Sequence, residues 1–373
     1  MPFFRGLATK KLFSSASAER RKKEKDCFLK NGSSVLEELL ALCDGNCRIP
    51  IRYYTANEIE NAIRHSKSKM ELPDVHMVTG LLDNRPVLVR FNNRREFNNI
   101  HRDIAITAQM SHLKNVLRLI GCCLEFEEPV MVYAYVEGIS LSDLLFKKGN
   151  INDLDRKSLL WENRLRVARD VASAIVFLHT EFTTPIIHRG ITPHNVIIDE
   201  NSGAAKIVDF SSSISLPPGE LETEDFVFGT IGSMAPEYAV WGIISQKTDV
   251  FSFGILLFQL LTGKKVDDIM HSKSNIEEDN AMDRLNYAIL DEIINSKNLP
   301  TNMVDHYIKE GNVVDPAIFE EHGIEIQQQL KDYLNLAGKC TAMKGDDRPY
   351  MIHVARELCR IEKCFRALAL PQN

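Results

Sequence analysis

Residues able to do chemistry fall in two stretches. The first runs Ile186-Ile187-His188-Arg189-Gly190-Ile191-Thr192-Pro193-His194-Asn195-Val196-Ile197-Ile198-Asp199, two short apolar strands with a polar loop between them. The second, Ala205-Lys206-Ile207-Val208-Asp209-Phe210-Ser211, sets a carboxylate fourteen residues after Asn195. Arg90, closing the apolar run Val87-Leu88-Val89, could touch a phosphate, although its planar fork does not replace a point-charge ammonium. The polar loop has no proton acceptor at position 190, which is glycine.

The elements that must position these groups follow from local patterns. Met77-Val78-Thr79-Gly80 and Val87-Leu88-Val89-Arg90, with a turn at Asp83-Asn84, read as a hairpin. No glycine occurs from Asn46 to Thr79, so backbone amides there cannot approach a phosphate closely. A helix is predicted from Arg94 to Met110, carrying Asp103, and a strong one from Trp161 to His179. Capping boxes at Ser34-Val35-Leu36-Glu37 and Thr55-Ala56-Asn57-Glu58 open two shorter helices, the first running through Leu42 and closing near Gly45.

Composition bounds the class. With 373 residues and 44% hydrophobic content the chain can bury the cores of two lobes. A net charge of −6 gives no case for nucleic acid. No signal peptide, myristoylation motif or membrane-spanning run is present, which predicts a soluble cytoplasmic protein. The eight cysteines lack a zinc spacing; Cys43 and Cys47, and Cys122 and Cys123, read as reduced thiols. Residues 1–30 carry nine basic against three acidic side chains, a solvated tail or one drawn to an anionic plasma-membrane surface. Phe3, Phe4, Leu7, Leu12 and Phe13 share one face there if that tail is helical. Between Lys206 and Lys247 there are six acids and no lysine or arginine.

These residues carry a resemblance. His188, Arg189 and Asn195 match the protein-kinase catalytic-loop pattern H-R-D-L-x-x-x-N, and Asp209-Phe210-Ser211 stands where D-F-G is expected. Residues 77–90 and 115–125 resemble the N-terminal strand runs of plant receptor-like and wall-associated kinases. Gly229-Thr230-Ile231-Gly232-Ser233-Met234-Ala235-Pro236-Glu237-Tyr238, Lys247-Thr248-Asp249-Val250-Phe251-Ser252-Phe253-Gly254, Val314-Asp315-Pro316 and Asp347-Arg348-Pro349 resemble their later motifs. The resemblance covers about residues 58–365. It implies an α+β, bilobal kinase-like fold with a small β-rich N-lobe (58–136) and a larger helical C-lobe (137–368). A basic, poorly ordered segment (1–32) and an accessory helix with linker (33–57) precede it.

By the same resemblance, His188, Arg189, Phe210, Glu237, Asp249 and Arg348 support architecture, with Asp249 holding the loop backbone and Arg348 pairing with Glu237. The catalytic positions are degenerate. Gly190 replaces the base, Thr192 the loop lysine, Arg90 the strand lysine and Ser211 the last residue of D-F-G. Arg90, Asn195 and Asp209 are what is left of an ATP and magnesium site, and no cofactor is required. Asp103 stands for the glutamate that pairs with the strand residue. Runs 28–33, 49–52 and 213–219 resemble one plant subfamily of wall-associated-kinase-like cytoplasmic pseudokinases. Its members are adaptors between a coiled-coil NLR immune receptor and receptor-like cytoplasmic kinases modified by pathogen effectors. The alternatives are a weakly active or ATP-binding serine/threonine kinase and a scaffold in receptor-kinase signalling. Glu220, Glu222, Glu224, Asp225 and Phe226 form the expected partner surface, one of the acids from 222 to 225 facing Arg189 in place of a phosphate.

Overall fold

A computed structural model describes residues 18–43, 51–64, 69–72, 75–92, 99–146, 160–230, 232–266, 314–319 and 326–369. The chain forms two compact units, one holding 1–113 and 117–136 and the other 114–116 and 137–373. The first is strand-rich and the second helical, the α+β composition expected for the two lobes.

The first described element departs from the sequence reading. Helix α1, Ala18–Cys43, is continuous, so the segment 18–32 is not a poorly ordered tail and Ser34 opens no helix. Ser34 Oγ instead donates back to the Lys30 carbonyl (3.3 Å), the bond of a mid-helix serine. Tertiary anchors override the polar sequence. Asn31, Val35, Leu39 and Leu42 are buried at helical spacing. Asn31 Nδ2 donates to the carbonyls of Leu124 and Phe126, both at 3.0 Å, and its Oδ1 faces His101 Nε2 at 3.0 Å. Arg20 bonds Glu24 (2.7 Å) and Glu60 (2.5 Å). The readings on Arg5, Lys10, Lys11, Gly45 and Cys47, and the apolar face from Phe3 to Phe13, lie outside the described residues.

Helix α2, Ala56–Ile63, begins at the expected capping box, with both Thr55 and Glu58 side-chain bonds made. Strands β1 (Lys69–Leu72), β2 (Val75–Leu82), β3 (Arg85–Phe91), β4 (Leu119–Cys123) and β5 (Val130–Ala134) form one antiparallel sheet in the order β1-β2-β3-β5-β4. Asp83 and Asn84 both have positive φ, 49° and 59°, the two-residue turn whose twist matches a hairpin. Arg90 therefore sits on the central strand, opposite Met77 and Met131. Helix α3, Ile100–Met110, starts at Asn99, whose side chain accepts from Arg102 N–H (3.0 Å). The part of the predicted helix from 94 to 98 lies outside the described residues. Cys122 and Cys123 are free thiols that burial pushes up to about 12.

In the second unit, β6 (Gly138–Ser140) leads into α4 (Leu141–Phe146), and α5 (Trp161–Thr180) precedes the loop strands β7 (Ile186–Ile187) and β8 (Val196–Asp199). β9 (Ala205–Ile207) completes a sheet in the order β6-β8-β9, while β10 (Ile214–Ser215) pairs with β7. Then follow β11 (Glu222–Glu224), α6 (Pro236–Trp241), β12 (Ile243–Ser245), α7 (Gln246–Thr262), α8 (Gln327–Cys340) and α9 (Met351–Ala369). α7 is apolar nearly all round and correspondingly buried. Trp161 anchors α5 to α8, donating Nε1–H to Gln329 (3.0 Å) with its ring edge-on to Tyr333. Among the described residues no helix is long and apolar enough to cross a membrane.

Asn31 tests how α1 is fixed. Asn31→Ala strands two carbonyls in a largely buried site and should lower stability by about 1–3 kcal/mol, read from urea melts. Ser34→Ala should change it by less than about 0.5 kcal/mol, the opposite of what a helix-capping serine would give.

Candidate functional site

The loop between β7 and β8 is held from below by one carboxylate. Asp249, fully buried on α7, accepts the backbone N–H of His188 (2.8 Å) and of Arg189 (3.0 Å). It also accepts from His179 Nε2 (2.9 Å), which assigns the proton to that nitrogen. Held this way, Arg189 takes a left-handed backbone, φ 61°. His188 Nδ1 accepts the Gly190 N–H (3.2 Å), so the neutral ring carries its proton on Nε2. Among the described residues that Nε2 has no hydrogen-bond partner, and the ring packs on Phe210 with centroids 5.0 Å apart. Burial pushes the imidazole pKa down.

Nothing in the backbone demands glycine at 190. A β-carbon there would lie 3.2 Å from Asn195 Nδ2 and 3.3 Å from His188 Nδ1, tight contacts with side-chain atoms rather than backbone. Asn195 Nδ2 donates to the Gly190 carbonyl (2.9 Å). Asp209 is also left-handed, φ 68°, and its Oδ1 accepts from Ser211 Oγ at 2.7 Å. In the first unit, Arg90 and Asp103 make a buried pair at 2.7 Å, with Thr107 Oγ1 on the other Asp103 oxygen at 2.9 Å.

Part of the acidic stretch is a strand. Glu222–Glu224 forms β11, paired with β12 in the register Glu222↔Ser245 and Glu224↔Ile243. Of its acids, Asp225 faces inward. Arg189 Nη1 donates to it (2.8 Å) while Arg189 Nε donates to the Ser212 carbonyl (2.6 Å), and the guanidinium lies 4.3 Å above the Phe228 ring. Tyr238 Oη bonds the backbone of Phe226 and Phe228. Glu220, Glu222, Glu224 and Phe226 remain exposed. Arg348 pairs bidentately with Glu237, at 2.7 and 2.8 Å, and donates to the Ala342 carbonyl.

The Protein kinase domain family matches residues 87–357. The chain belongs to the protein kinase family. Curated relatives from Arabidopsis thaliana carry names of both active and inactive kinases. One is named serine/threonine-protein kinase ZRK4, 35% identical over 90% of this chain and 92% of its own length. Another is non-functional pseudokinase ZED1, 33% identical over 93% of this chain and 99% of its own. A third, putative wall-associated receptor kinase-like 16, is 31% identical over 89% and 71%.

As a kinase domain, the chain keeps its supports and lacks its reacting group. A kinase loop carries an aspartate that accepts the substrate hydroxyl proton, and Gly190 offers no side chain for that step. Of a magnesium–nucleotide site the metal-holding pair fits and the phosphate cover does not: Asn195 and Asp209 are the asparagine and aspartate that hold magnesium in a kinase, with one Asp209 oxygen accepting from Ser211. β1 and β2 are joined by Pro73-Asp74, outside the described residues, where no glycine stands to bring backbone amides near a phosphate. Arg90 is turned onto Asp103. One exposed side chain escaped the sequence reading: Trp241, last residue of α6, 66% exposed. Its signal was a large aromatic directly before Gly242, where the helix ends.

The Arg90–Asp103 pair carries a stability prediction. Arg90→Met leaves a buried carboxylate without its cation and should cost about 3–5 kcal/mol in urea melts. Arg90→Met with Asp103→Leu should recover most of that loss, as a buried ion pair replaced by apolar volume does. A single variant as stable as the parent would mean that the pair is not buried in solution.

Proposed function

We propose that this chain is a catalytically inactive kinase-like adaptor in plant innate immunity, bridging a coiled-coil NLR receptor to receptor-like cytoplasmic kinases targeted by pathogen effectors. The inactivity rests on one observation: Gly190 offers no side chain at the position of the base, in a loop whose backbone Asp249 anchors at His188 and Arg189. Loss of a positioned base alone removes about 10²–10⁴ in rate. The relative named a non-functional pseudokinase, matched along nearly its whole length, supports the same reading. The bridging role is supported by the resemblance of runs 28–33, 49–52 and 213–219 to adaptor pseudokinases.

A weakly active kinase is favoured by one set of observations, the kept Asn195 and Asp209 and the relative named as a serine/threonine-protein kinase. Phosphotransfer from ATP with magnesium or manganese decides between the two. We expect none, and none in Gly190→Asp, because the phosphate cover and the strand lysine are missing too. Turnover of the Gly190→Asp variant at an ordinary kinase rate would make the base the only defect and overturn this account of the nucleotide site.

Bridging is tested on the exposed acids. Glu220, Glu222 and Glu224 are replaced together by glutamine, while Asp225 is kept because Arg189 holds it. We expect loss of receptor-like cytoplasmic kinase capture with NLR capture retained. Unchanged kinase capture at physiological salt would remove the acidic surface from the interface.

A further inference from the structure

Among the described residues, the acidic segment leaves one edge of a sheet unpaired. β11 and β12 form a two-stranded sheet, with Thr223 opposite Ile244. Asp225 donates its N–H to the Gly242 carbonyl (3.1 Å) just beyond the ladder. Bonded and non-bonded pairs alternate in an antiparallel ladder, so the N–H and C=O of Thr223 face Ile244. Those of Glu222 and Glu224 point away from β12, and both side chains are exposed. At that end of the ladder two aromatic side chains are exposed, Phe226 directly after Asp225 and, across the ladder from it, Trp241 directly before Gly242. The two backbones pass so closely there that a β-carbon on Gly242 would lie 2.6 Å from the Asp225 carbonyl. The anchors of the segment are on other residues, Asp225 through Arg189 and the backbone of Phe226 and Phe228 through Tyr238.

We propose that β11 is a docking edge that takes an extended, basic segment of a partner protein as a third strand, with Phe226 and Trp241 gripping an apolar residue at its end. This rests on the reading of the acidic segment as a partner surface, and adds how the partner is held. Strand addition draws affinity from main-chain bonds and selectivity from alternate side chains. Opposite Glu222 and Glu224 the favoured neighbours are lysine and arginine, because opposite charges across a strand pair stabilise it and like charges do the reverse. The same acids exclude a second copy of this chain, since two β11 edges paired together would set glutamate against glutamate. Between Lys206 and Lys247 the chain itself supplies no lysine or arginine to offset these acids.

The probe is a synthetic ten-residue peptide alternating lysine with valine and ending in two leucines, titrated against the full chain by fluorescence anisotropy. Its control carries glutamate for lysine. Glu224→Pro removes an outward N–H and should leave the β11–β12 bonds in place, as proline on an edge strand can. Trp241→Ala removes the apolar anchor. We expect each to weaken binding by about tenfold or more. Glu222→Gln with Glu224→Gln should weaken it and flatten its salt dependence. Should Glu224→Pro lower the melting temperature, Glu222→Pro serves the same purpose. Loss in the glutamine variant with parental affinity in both Glu224→Pro and Trp241→Ala would overturn strand docking and leave a charged surface, so the acidic reading would survive. Equal binding of the control peptide, or no binding of the basic one, would also overturn the docking edge. The acidic reading would then stand or fall on kinase capture by the triple glutamine variant.

Discussion

The Asp249 carboxylate is the constraint on which the loop depends. It takes two consecutive backbone N–H groups and one imidazole, and lies fully buried on the most buried helix of the second unit. Charge-assisted bonds of this kind are about twice as strong as neutral ones, and a carboxylate that loses them in an apolar core is costly. With His188 and Arg189 fixed, the other contacts follow in order. The left-handed Arg189 turns its guanidinium onto Asp225, Ser212 and Phe228, which fixes the segment leading out of β11. Arg348 then holds Glu237 at the far end of that segment. None of these bonds involves the side chain that would do chemistry.

That separation explains how a kinase fold outlives its reaction. Removing a carboxylate at 190 leaves no orphaned partner, since Asn195 bonds the backbone carbonyl there and the Gly190 N–H finds His188. Asp209 has found an internal partner in the Ser211 hydroxyl. Arg90 and Asp103 make a buried pair that joins the central strand to α3. At 190, 209–211 and 90 the groups that remain thus bond one another within the protein. Removing either member of the Arg90–Asp103 pair would be far more costly than the change at 190.

Much of this was legible in the residues. The hairpin turn at Asp83-Asn84, the Thr55 capping box and helix α5 rest on local chemistry and appear where the patterns put them. The pairs Arg90–Asp103, Arg348–Glu237 and Asp249 with the loop backbone came from motif order, which encodes long-range contacts that periodicity cannot. α1 was not legible. Its capping box was locally plausible, but Asn31, Arg20 and Glu38 bond distant groups, and those contacts extend the helix across a basic, polar stretch. The acidic stretch was legible in part: an acid facing Arg189 was expected from the motif, and Asp225 is that acid. Its pairing with residues 243–245 depends on tertiary neighbours that composition does not reveal.

The central claim is that Asp249 holds the loop without help from a nucleotide. Amide hydrogen exchange at His188 and Arg189 tests it most directly. The account requires both amides to exchange as slowly as the core of α7 in the protein alone. Their protection should be unchanged by ATP and magnesium and lost in Asp249→Asn. Fast exchange in the protein alone, with protection appearing only when ATP and magnesium are added, would contradict it and mean that this loop is still built around a nucleotide.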